Sequence, residues 1–334
     1  TGKSTAIAEL IWQLARKNPK GRILLTSEAN LAVDNALDKL KSSNHNIVKP
    51  IRIAAGDKFS AEGLSYSIIE MKKWVGIELN DMEKEDDALV RDTDEYRSFN
   101  TKSLVLNRWM MNIFSRSKDR LHDETIQKQW FDILYDLPST VKKKVFDEYR
   151  THCNVIGATC SAITDKNYSA TQKYGKYIPS RFIKKYWSVY KTNVNAQNPK
   201  LTFDVVIQDE ASKATPAELS LPLSYGKKAI VIGDHRQLPP NLDKEDILFK
   251  LHMQRLKSKS REERDSIYNL EQYVRKHFDV LEKSHFERLF RQIDSSLKGT
   301  FNTQYRMHQD INDVIYQFYV EENGLKCGVS DSDR

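Results

Sequence analysis

The sequence has no apolar run long enough to cross a bilayer, so no membrane partner is expected. Its three cysteines, Cys153, Cys160 and Cys327, fall into no disulfide or metal-ligand pattern. That excludes a disulfide scaffold and suits a reducing intracellular compartment. No internal repeat or low-complexity linker interrupts the 334 residues. What remains is a soluble globular composition, 30% charged and 39% apolar, long enough for two domains or for one with large insertions. Lys and Arg outnumber Asp and Glu by 53 to 46, a net charge of +7 that favours a polyanionic partner without establishing one.

The chain is organised around Phe203-Asp204-Val205-Val206-Ile207-Gln208-Asp209-Glu210-Ala211-Ser212, an apolar β-branched run that ends in two adjacent carboxylates. A buried parallel strand reads this way when it delivers acids to the carboxyl edge of a sheet, where open α/β folds bind ligands. There Asp209 can hold a hydrated Mg²⁺, and Glu210 can orient or deprotonate a water attacking a γ-phosphate. Taken alone, the decapeptide fits equally well a strand followed by an Asp-Glu turn that caps a helix.

Thr1-Gly2-Lys3-Ser4-Thr5 matches the tail of the phosphate-binding loop G-x-x-x-x-G-K-[ST], whose first glycine would lie upstream of Thr1. A chain that opens inside a motif is expected to be a piece of a longer protein. In such a loop backbone N–H groups from Gly2 to Thr5 cradle phosphate oxygens, Lys3 reaches the β- and γ-phosphates, and the Ser4 hydroxyl ligates Mg²⁺. Ile7, Leu10, Ile11 and Leu14 follow at helical spacing, so the loop opens a helix as the chemistry requires.

Strands are predicted at Arg22–Thr26, Ile51–Ala54, Val155–Cys160, Ala229–Ile232 (buried) and Gly299–Asn302. Thr26 to Leu37 reads as a polar turn entering a helix capped by Asn30 or Asp34. Residues from about 56 to 150 are charged and helix-rich, with Trp74, Trp109, Phe114, Trp130, Phe131 and Tyr135 as apolar seams and the acidic run Glu83 to Asp94 as a solvated face. Pro216 to Leu223 reads as a short helix, and 243–290 as a second helical insertion. Between lies an acid-free stretch, Lys166 to Lys191, that interleaves Lys173, Lys176, Arg181, Lys184 and Lys185 with Tyr168, Tyr174, Tyr177, Phe182, Tyr186, Trp187 and Tyr190. It fits a clamp on a nucleic-acid strand, with Lys184 and Lys185 on phosphate. It fits as well an amphipathic helix that packs its aromatics inward.

The ordered set of phosphate loop, T-S-x-x-N-x-A-V-D-N, G-A-T-C, D-E-A-S, G-D-x-x-Q-L-P-P and Q-Y-R-M-H resembles a superfamily 1 helicase of the 5′→3′ branch, in the group of the nonsense-mediated-decay helicase and senataxin. Ser284-His285-Phe286-Glu287-Arg288-Leu289 resembles that group's S-x-F-E-R-L. The resemblance implies a RecA-like P-loop NTPase: a doubly wound, mainly parallel α/β sheet over about residues 1–296, with insertions near 56–150, 165–200 and 243–290, and the start of a second such domain over 297–334. It implies ATP and Mg²⁺ as cofactors. Lys3, Ser4, Asp209 and Glu210 would serve phosphate, metal and water, Gln237 would sense the γ-phosphate, Arg306 would neutralise the transferring phosphoryl and Tyr305 would stack on adenine. Ser27, Asn30, Thr159 and Cys160 would line a channel for single-stranded DNA or RNA. Lys213 stands where the family usually has glutamine, Gln309 where it commonly has proline, and the family's later motifs are absent from these 334 residues. The activity implied is ATP-driven translocation or unwinding. An ATP-controlled switch or scaffold without processive movement is the alternative; a nucleotide kinase would share the loop but not the ordered set.

Overall fold

The computed structural model describes residues 2–40, 47–54, 59–116, 137–163, 182, 185, 186, 189, 202–322 and 324–329. Lys184, Trp130, Phe131 and Tyr135, and the side chain of Phe114, lie outside what is described. Two compact units build the chain: Lys3–Asp209 with Leu221–Ile230, and Thr1–Gly2 with Glu210–Ser220 and Val231–Arg334. The chain passes between the units after Asp209, after Ser220 and after Ile230.

The first unit is built on a five-stranded sheet in the order β2-β3-β1-β4-β5. The strands are β1 (Ile23–Ser27), β2 (Pro50–Arg52), β3 (Val155–Thr159), β4 (Phe203–Asp209) and β5 (Gly226–Val231). β1 pairs in parallel with both β3 and β4, and β2 with β3. Every residue of β1 and β3 is buried, as expected of parallel strands covered on both faces. The predicted burial of Ala229–Ile232 does not hold: Ala229 is exposed and Ile230 and Val231 are half-buried. β5 is the outermost strand among the described residues, which leaves its far edge open.

Helix α1 (Lys3–Lys17) buries Ile7, Ala8, Ile11 and Ala15, and α2 (Asn30–Lys39) buries Val33, Ala36 and Leu37. Neither Asn30 nor Asp34 caps α2; its N-cap is Ala29, without a side-chain hydrogen bond. Both are claimed by Arg52, fully buried at the end of β2. Its Nε donates to Asp34 Oδ1 at 2.7 Å and its Nη2 to Asn30 Oδ1 at 2.9 Å. Two remaining acceptors, the carbonyls of Ile53 and Gly157, take Nη1 at 2.7 and 3.5 Å. A buried charge survives only with this degree of pairing.

The helical region carries α3 (Ile68–Val75), α4 (Asp81–Arg91), α5 (Val105–Arg116) and α6 (Ser139–Thr151). Trp109 meets Tyr149 edge-on at 5.5 Å, and the Tyr149 hydroxyl donates to the Pro50 carbonyl at 2.9 Å, which ties α5 and α6 to β2. The acidic run is solvated only in part: Glu85, Asp92 and Asp94 are exposed, and the other three acids are not. Glu83, Asp86 and Asp87 are buried, because each has a lysine: Lys72 on Glu83 at 2.5 Å, Lys185 on Asp86 at 2.5 Å and Lys73 on Asp87 at 2.9 Å.

In the second unit, the longer helices are α7 (Pro216–Ser224, which begins there), α8 (Lys244–Lys257), α9 (Arg261–Leu281), α10 (His285–Gln292) and α11 (Gln309–Tyr316). α8 and α9 form a hairpin around Leu248, Val274 and Phe278. The strand predicted over 299–302 forms only at β6 (Thr303–Gln304), which pairs in parallel with β7 (Lys326–Cys327).

Candidate nucleotide site

The register of the central strands sets Ser27 beside Thr159 on one side and Asp209 on the other, so three side chains emerge on one face at the carboxyl edge. Asp209 is 3% exposed. Thr159 Oγ1 is engaged with Ser161 Oγ at 3.0 Å and accepts from the Ala162 N–H at 3.2 Å, which caps the turn after β3. Ser27 Oγ is buried and has no hydrogen-bond partner among the described residues. Lys3 and Ser4 open α1, a fifteen-residue helix whose first turn holds no acid, so its positive end is left for an anion. Ser4 and Asp209 are hard oxygen donors of the kind Mg²⁺ takes, and the orphaned Ser27 hydroxyl beside Asp209 suits a water of its shell. Among the described residues no cluster of three His, Cys, Asp or Glu competes for a metal.

Several residues assigned to a nucleic-acid channel turn inward. Cys160 is fully buried, with Thr26 Oγ1 at 3.6 Å and Gln208 Nε2 at 3.1 Å from its sulfur. Ser27 and Thr159 are buried as the last residues of covered strands. Asn30 is half-buried; its carbonyl oxygen is fixed by Arg52, which turns the amide nitrogen the other way. Lys185 is not the exposed phosphate contact expected of it: its ammonium is buried on Asp86 Oδ2 and on the Ala54 carbonyl, both at 2.5 Å. Phe182, Lys185, Tyr186 and Val189 are all buried at helical spacing. Tyr186 packs edge-on against Phe203 at 5.4 Å and accepts from Arg22. At these four described positions the packing is that of the inward-facing alternative.

In the second unit Glu210 adopts a left-handed backbone, φ 52°, unusual outside glycine and costly by roughly 1–2 kcal/mol. The turn continues through the Ala211 N–H on the Ile232 carbonyl at 3.0 Å and the Lys213 N–H on the Glu210 carbonyl at 3.1 Å. Lys213, the departure from the family's glutamine, sets its Nζ 3.5 Å from Glu210 Oε2. Gln237 donates through Nε2 to Asp234 Oδ2 at 3.1 Å, and the Tyr319 hydroxyl donates to the same oxygen at 2.7 Å. Arg236 meets Glu321 nearby. The loop rests on α10: a Cβ on Gly233 would come within 3.0 Å of the Phe286 ring and the Ser212 nitrogen, and His235 stacks on Phe290 at 4.7 Å. That packing gives the S-x-F-E-R-L resemblance a physical reason.

Tyr305 and Arg306 are both exposed, on a turn held from below by Gln304. Its Oε1 accepts the Arg306 and Met307 N–H groups at 2.8 and 2.7 Å, and its Nε2 donates to the Met307 carbonyl at 2.9 Å. One face of the Tyr305 ring lies over Gly328, where a Cβ would come within 2.3 Å. Asp234, Gln304 and Tyr319 were not singled out as site residues from the sequence. Asp234 and Gln304 stand inside quoted motifs; Tyr319, 85 positions from its partner, gave no local signal.

Residues 1–245 match a family described as an AAA domain. The chain is similar to the DNA polymerase alpha-associated DNA helicase A of Saccharomyces cerevisiae, 25% identical over 320 residues, 93% of this chain and 36% of that protein. The DNA replication ATP-dependent helicase/nuclease DNA2 of the same organism is 24% identical over 98% of this chain and 13% of its own length. The DNA-binding protein SMUBP-2 of Mesocricetus auratus is 50% identical over 42 residues, 13% of this chain and 4% of that protein. The chain thus spans about a third of the length of the first of these relatives.

Proposed function

The chain belongs to the AAA domain family of the superfamily 1 helicases, and on that premise we propose that it supplies the nucleotide-binding half of an ATP-driven motor on single-stranded nucleic acid. The observation that carries the reading is a nearly buried Asp209 at the carboxyl edge of β4, followed at once by Glu210 in a strained left-handed turn. Strain of this kind is kept where it aims a side chain. Lys3 and the α1 N-terminus bind the phosphates, and Ser4 with Asp209 would hold Mg²⁺, which supplies charge neutralisation when bound. Glu210 orients the attacking water. Gln237, held by Asp234, reports the state of the γ-phosphate. Arg306 stabilises charge on the transferring group and Tyr305 stacks on the base, both presented by the Gln304 turn. Asn30 meets the strand's backbone through its free-facing amide edge.

The test is Glu210→Gln in the full-length protein. Hydrolysis should fall by on the order of 10²–10⁴, the usual worth of a positioned base, while ATP binding persists. Unchanged hydrolysis, or loss of ATP binding along with it, would overturn the assignment.

A further inference from the structure

The longest helix among the described residues, α9, has two apolar faces. One buries Ile267, Val274 and Phe278. The other is open: Leu270, Tyr273 and Val280 are 49, 53 and 56% exposed, and His277 fills the stripe between them with its ring 4.7 Å from that of Tyr273. The spacing of three, four and three residues places all four on one side of the helix. A contiguous apolar stripe on a charged helix marks an interaction surface.

We propose that this stripe pairs antiparallel with the same stripe of a second copy of the chain. The argument is charge complementarity along its border. Asp265, Asn269 and Lys276 lie on one edge of the stripe, acid toward the N-terminal end and base toward the C-terminal end. In a two-fold antiparallel pair each edge meets its own counterpart, so Asp265 of each copy faces Lys276 of the other. The axis then falls between positions 270 and 271, with Leu270 and Tyr273 at the centre, where aromatic anchors carry most of an interface's energy. A parallel pair would instead set this edge against the opposite edge of the partner helix, and the Asp265–Lys276 pairing would not form. The standing partner of Asp265, Arg261 at 3.9 Å, is well exposed and worth little, so it does not compete. A nucleic acid fits the helix poorly, since its five acids outnumber its four bases and it offers phosphate no net attraction.

One helix per copy is a small interface, so dimerisation is expected at roughly micromolar concentration. Sedimentation equilibrium of the full-length protein measures it. Tyr273→Lys should abolish the dimer without lowering the melting temperature, because the side chain is already exposed. Asp265→Lys and Lys276→Asp should each weaken association at least about tenfold, by setting like charges together. The double variant should restore it, which no effect on folding would do. A protein that stays monomeric to about 100 μM, a dimer indifferent to Tyr273→Lys, or a double variant no better than the singles would each overturn the proposal. So would a monomer in which Tyr273 is protected from chemical modification, since another part of the same protein would then cover the stripe.

Discussion

The ammonium of Lys185 sits among oxygens, with Asp86 and the Ala54 carbonyl both at 2.5 Å and 4% of the side chain exposed. Taking a lysine this far from water is tolerable only because the acid is already there. Reversing its charge sets two carboxylates together without solvent. Lys185→Glu is therefore expected to cost at least about 3–5 kcal/mol of stability, read as a lower midpoint in urea unfolding. Lost nucleic-acid affinity at unchanged stability would instead return Lys185 to the strand-gripping role that its basic, aromatic neighbourhood suggests. Charge alone could not decide between these roles, because a local reading of 166–191 does not contain Asp86. The same limit explains Asn30 and Asp34: both look like helix caps until Arg52, eighteen residues beyond Asp34, takes them.

Among the helical elements, α3 and α4 are joined through charge. Lys73 donates to Glu70 at 2.8 Å, Asp87 at 2.9 Å and the Tyr96 hydroxyl at 2.6 Å. Burial lowers the Lys73 pKa, but these hydrogen bonds outweigh it and the net direction is up. For Glu70 burial dominates and raises the carboxyl pKa, with Lys73 pulling it only part of the way back. A carboxyl whose folded pKa lies above its unfolded one contributes stability below the unfolded value, and that contribution is lost as pH rises through the folded value. Glu70→Gln should then be tolerated at neutral pH, and its melting temperature relative to the parent should climb as pH is raised from about 4 to 7. A variant that loses ground over that interval would show that the Lys73 pairing, not burial, governs Glu70. Elements with a period were legible from sequence: β1, β3 and β4 follow their apolar runs to within a residue or two, and α1 its three-four spacing. What could not be read was the sheet's edge, since Ala229–Ile232 has the composition of a covered strand whether or not a neighbour covers it. The burial of Glu83, Asp86 and Asp87 in α4 was hidden for the converse reason, because their lysines come from α3 and from position 185.

For the molecule as a whole, the ordered motifs carried more than any one site. They named the family before the sheet order was known, and the AAA domain match over residues 1–245 agrees. The same order leaves open whether nucleotide turnover drives movement or only a change of grip. The excess of basic residues, +7 overall, favours a polyanion, and contacts to a sugar-phosphate backbone are sequence-independent. A motor should hydrolyse ATP faster when it has a strand to move along. In the full-length protein single-stranded nucleic acid is expected to stimulate ATPase on the order of tenfold or more, and that stimulation should weaken with salt as binding does, by about 0.7 in log–log slope for each phosphate neutralised. Glu210→Gln should bind the strand and displace no complementary one. If the parent protein binds nucleic acid with an affinity that changes on nucleotide addition, yet shows neither stimulated turnover nor strand displacement, the same residues serve an ATP-controlled switch, and translocation is excluded.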